Sequence, residues 1–109
     1  MNKTRRNELA KIQEKIKSIK EDADALKEKV EELKDKIEAV RAEEESAYDN
    51  LPESLQESER GEQMQTAMDA MDNAGSDLDD VINSIESCLS EVENSLDNAV
   101  DNLQEAIDA

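Results

Sequence analysis

The sequence predicts an all-α protein: an antiparallel helical hairpin of coiled-coil type that dimerises into a four-helix bundle. Three observations predict it. Apolar residues recur at 3-4-3-4 spacing through both halves of the chain, Gly and Pro together number three, and the flanks of the two apolar seams differ in charge. With 39% charged residues and Tyr48 as the only aromatic ring, the chain lacks the bulk for a thick layered core. Long helices, each with a narrow apolar seam, suit such a composition.

The first seam is Leu9, Ile12, Ile16, Ile19, Ala23, Leu26, Val30, Leu33, Ile37 and Val40. It is a strict heptad with Leu9 at position a and Ile12 at d. A 3.5-residue period held this long marks a helix that winds against another helix. No Gly or Pro precedes Leu51. One helix is therefore expected over about residues 5–47.

A connector follows over about residues 48–61. Pro52 disfavours a helical Leu51 and suits the first turn of a new helix. Asp49 or Asn50 closes the turn before it. One short turn is expected from Pro52 to Gln56. Ser58 is the expected side-chain cap of the second long helix, with Glu59 and Glu62 favourable near its positive end.

The second long helix is expected over about residues 62–108. The whole of residues 1–109 then forms one hairpin domain, with helices of roughly 40–45 residues, about 60–70 Å each at 1.5 Å per residue. Its seam is Met64, Met68, Met71, Gly75, Leu78, Ile82, Ile85, Leu89, Val92, Leu96, Ala99, Leu103 and Ala106. A second stripe runs beside it at g: Ala67, Ala74, Val81, Cys88 and Ser95. These residues are small or apolar, so the apolar face is wider than one partner helix covers. The stripe is the expected seam of a homodimer. Gly75 is expected to admit a large residue of the facing helix. Cys88 is expected to pack as a small hydrophobe.

Charge is shared unevenly. Residues 1–43 hold 12 basic and 11 acidic residues, whereas Arg60 is the only basic residue among the 20 charged residues of 44–109. Helix 1 carries Lys20, Lys27, Lys34 and Arg41 at e, and Lys15, Lys29 and Lys36 at g with Asp22 as an exception. Helix 2 carries Asp72, Asp79, Glu86 and Glu93 at e. Complementary flanks favour antiparallel pairing across a short connector.

The chemistry points to binding and not to catalysis. There is no His, and the carboxylates fall on outward or flanking positions. Cys88 has no His to activate it. A calcium loop with Gly75 at its sixth position would place Ala70 first and Val81 twelfth, which removes both required ligands. No cofactor or metal site is expected. The sequence shows no apolar run that spans a membrane, and one Cys suits a reducing compartment. The expected location is the cytoplasm. The net charge of −17 repels nucleic acid and attracts basic protein surfaces.

The stretch AYDNLPESLQESERGE over residues 47–62 is the most distinctive part of the chain. With the helices on either side it resembles small acidic helical proteins of bacteriophages and prophages of Gram-positive bacteria. The resemblance implies a host-cell cytoplasmic setting and no particular activity.

Two functional readings are open at this point. In one, a phage-encoded inhibitor uses Asp72, Asp79, Glu86, Glu93, Asp97 and Asp101 to occupy the nucleic-acid-binding surface of a basic host protein, mimicking the charge of a DNA duplex. In the other, the chain is a self-assembling structural or adaptor module whose charge serves solubility.

Overall fold

Asn2 starts the first helix: its Oδ1 accepts the Arg5 N–H at 2.9 Å, and its carbonyl accepts the Arg6 N–H. The side chain thereby satisfies one of the donors that a helix start leaves unpaired, while the carbonyl takes the first bond of the helix itself. The computed structural model describes residues 1–109, and all of its regular secondary structure is helical: α1 Lys3–Asp49, α2 Glu53–Gln56 and α3 Glu59–Asp108. Both long helices begin earlier than the apolar period requires. Asn2 extends α1 backward, and the one-turn α2 ends early enough for α3 to begin at Glu59.

The connector is fixed by side chains as well as by Pro52. The Gln56 side-chain amide donates to the carbonyls of Tyr48 and Leu51, at 3.1 and 3.3 Å. It thus ties the last turn of α1, whose Tyr48 carbonyl also accepts the Leu51 N–H, to the connector. Ser58 holds the cap position of α3, since its carbonyl accepts the Glu62 N–H at 3.0 Å. Its hydroxyl does not cap, contrary to the expectation. It donates backward to the Leu55 carbonyl, the acceptor that its own N–H also uses.

Gly61 and Gly75 are both buried, for different reasons. A Cβ on Gly61 would lie 2.0 Å from the Gln56 carbonyl oxygen, so the connector can close only over a glycine. A Cβ on Gly75 would meet nothing within 4 Å. The expected close packing at Gly75 is therefore absent. The missing side chain instead borders a cavity of about 300 Å³ among Lys34, Ile37, Arg41, Met71, Asp72 and Asp79.

The chain forms two compact units. Unit 1 is Met1–Glu28 with Ser84–Ala109, and unit 2 is Lys29–Asn83. Within each, the α1 segment runs antiparallel to the α3 segment, as the cross-helix contacts require. In unit 1, Lys27 meets Glu86 and Lys20 meets Asp97. In unit 2, Arg41 meets Asp72 and Lys34 meets Asp79.

The pairing line departs from the predicted seam. In α1, the a residues Leu9, Ile16, Ala23, Val30 and Ile37 are half-buried, and so are Lys20, Lys27, Lys34 and Arg41 at e. The d residues are open. In unit 1, Ile12, Ile19 and Leu26 are 45%, 48% and 53% exposed; in unit 2, Leu33 and Val40 are 53% and 54% exposed. At 3.6 residues per turn, d and e flank a on opposite sides. One α3 segment covers only one flank, and the ion pairs along e decide which. Met68 is the one buried apolar side chain. Cys88, on the g stripe, is exposed in the single chain.

Candidate interaction surfaces

The charged edge is built from the e positions of both helices. Lys20 Nζ lies 2.6 Å from Asp97, Lys27 Nζ 2.8 Å from Glu86, Lys34 Nζ 2.6 Å from Asp79 and Arg41 Nε 2.9 Å from Asp72. Three of these acids belong to the predicted e row. The fourth differs: Lys20 pairs with Asp97 in place of Glu93, although Glu93 still attracts it. Asp101 is exposed. Hydrogen bonds to Asp97 and Asp79 hold the Lys20 and Lys34 ammonium groups above their ordinary pKa, with partial desolvation pulling the other way. The hydrogen bond to Asp72 raises Arg41 in the same manner. All these groups touch solvent, so the pairs select alignment more than they add stability.

Unit 1 also contains a contact that the charge pattern conceals. Gln13 occupies an e position like the lysines, yet it is buried. Its side-chain amide donates to the Val100 carbonyl at 3.0 Å and to Gln104 Oε1 at 3.3 Å. The signal for it was present in the e series, where Gln13 and Tyr48 are the two members without a positive charge. Tyr48 is likewise engaged, its hydroxyl accepting from the Gln65 side-chain amide at 2.9 Å.

The second surface is apolar. In unit 2, a groove of about 510 Å³ is lined by Leu33, Lys36, Ile37, Val40, Met71 and Leu78. In unit 1, a smaller groove is lined by Ala23, Leu26, Ile85, Cys88, Leu89 and Val92. The g stripe of α3 borders these faces: Ala67, Val81, Cys88 and Ser95 are exposed, and Ala74 is half-buried. The sequence pattern places the α1 contribution to this surface, its d residues, in the covered seam.

No three acidic or Cys side chains are placed to share a metal ion. No helix is long and apolar enough to cross a membrane. No protein-family model, curated protein or solved structure matches the chain.

Proposed function

We propose that this chain is a non-catalytic binding module that acts by assembly, pairing with a second copy of itself into a four-helix bundle. The carrying observation is the open d row of α1, Ile12, Ile19 and Leu26 in unit 1 and Leu33 and Val40 in unit 2. Leucine and isoleucine at regular spacing, half in water, are an unfinished core, and a second helix pair is the usual completion. The antiparallel hairpin is one half of that bundle. Sedimentation equilibrium is expected to give twice the chain mass, and a single-chain mass at micromolar concentration would overturn the proposal.

A second reading is supported by the charge distribution. Residues 44–109 carry one basic residue, and Asp77, Glu91, Asp101 and Glu105 are exposed outside the cross-helix ion pairs. Such a surface suits a basic protein partner, with a phage-encoded inhibitor of a nucleic-acid-binding host protein in the cytoplasm as the setting. Its mark is binding that weakens with salt. Failure to recover any nucleic-acid-binding protein at low salt would remove this reading and leave the assembly module.

A further inference from the structure

We infer that ionic strength regulates the self-association of this chain: salt strengthens it, because an electrically balanced docking face sits on a strongly acidic body. This inference rests on the pairing with a second copy proposed above, and it names what controls that pairing.

The face itself offers a partner no net charge. In unit 2, Leu33 and Val40 stand open beside a groove that Ile37, Met71 and Leu78 also line. The g and c positions flanking this face carry exposed Lys29, Glu32, Lys36 and Glu43 on α1, and exposed Arg60 and Asp77 on α3. Three are cations and three are anions. A second copy finds apolar surface to bury here and no excess of either sign along the edges. Attraction across the face therefore comes from burying Leu33, Val40 and the groove, a term that does not depend on screening.

The rest of the unit is different. Unit 2 holds 5 basic and 17 acidic residues, a net of −12, and unit 1 holds 8 basic and 13 acidic residues, a net of −5. Since the flanks of the groove balance, all the excess negative charge of unit 2 lies on the other positions of its helices and on the connector. Lys34 and Arg41 are already engaged by Asp79 and Asp72. Asp35, Asp69 and Asp80 are exposed outside these pairs.

Distance decides how strongly that charge is felt. Packed helices lie about 8–10 Å apart, so a docked copy brings its own excess charge to within roughly one to two helix spacings. The Debye length is about 30 Å at 0.01 M salt and about 10 Å at 0.1 M. At the lower salt most of the repulsion between two copies survives. At the higher salt much of it is screened, while the burial that attracts them is unchanged. The dimer therefore tightens as salt is added. Capture of a basic partner has the opposite sign, because there the charges attract. Low ionic strength leaves the chain single and open to such a partner, and higher ionic strength assembles it.

The test is sedimentation equilibrium of the full-length chain in sodium chloride from about 0.01 to 0.1 M, the range over which the Debye length changes most. Circular dichroism on the same samples marks the salts at which helix content is constant, and dimer dissociation constants are compared over those. The expected result is a constant that falls by about tenfold or more across the range. A chain with Asp35→Asn, Asp69→Asn and Asp80→Asn, all away from the face, should dimerise more tightly at the lowest salt and respond less to added salt. A dimer that weakens with salt or ignores it, or a triple variant with the wild-type response, overturns this inference and leaves self-association standing. A single-chain mass at every salt overturns the self-association reading, and this inference with it.

Discussion

Units 1 and 2 apply one pairing rule and finish it differently. Both align α1 with α3 through cation–carboxylate pairs at e, and both leave the d row of α1 open. Unit 2 is closed by the connector, where Gln56 holds the Tyr48 carbonyl of α1 and the Leu51 carbonyl beyond it, and Gly61 lets α3 begin against α2. Unit 1 holds both chain ends and has the buried Gln13 in place of a connector. Charge at regular spacing sets the direction of pairing, while single uncharged residues fix each end.

The comparison can be broken most severely at Gly61. Gly61→Ala places a methyl group against the Gln56 backbone and should cost about 2–3 kcal/mol. Chemical denaturation would show the loss, and hydrogen exchange should show it first around Leu51 and Gln56 in unit 2. The other glycine gives the opposite sign. Gly75→Ala enters open space in mid-helix and should stabilise by about 1 kcal/mol, seen as a higher denaturation midpoint. A loss of stability there would mean that the cavity at Gly75 is closed by a partner. In unit 1, Gln13→Ala should cost about 0.5–1 kcal/mol, because a part-buried hydrogen bond is lost while both acceptors keep access to water.

The smallest effect separates the units by pH. Lys20 and Lys34 are raised in pKa by their carboxylate partners. A group raised on folding contributes stability that is complete below its unfolded pKa, about 10.4 for Lys. That contribution disappears as pH climbs through the raised folded value. Unit 1 relies on two lysines across the helices, whereas unit 2 also has Arg41, which keeps its charge in alkali. A chain with Lys20→Arg should therefore keep its melting temperature to higher pH than the wild-type chain. Equal decline in circular-dichroism melts above pH 10 would show that the Lys20 pair contributes nothing.

The sequence shows the helices, their direction and most of their charge partners because these depend on periodicity, which one chain displays in full. It does not show which side of the apolar row is covered. A heptad at a and d states that Leu26 and Leu33 are apolar; the ion pairs at e decide that one's own α3 lies on the other flank. Gln13, Gln56 and Gly61 are not legible in the sequence for a related reason. Each acts once, through one hydrogen bond or one close approach, and leaves no repeat to detect. Gly75 was visible, but a glycine in a seam reads the same whether it admits a neighbour or leaves a gap.

The e-row pairs also order the events of folding. Arg41 and Asp72 are 31 residues apart, and Lys20 and Asp97 are 77 apart. The chain entropy lost in closing a loop grows with its length, by about 0.6 kcal/mol for each doubling. Contacts beside the connector are the least costly to make, and each one shortens the loop left for the next. Folding should start at the turn and travel outward like a closing zip. Mutational φ-values are then expected to be high around Gln56 and Met68 and to fall toward Gln13; the reverse gradient would show that the chain ends meet first.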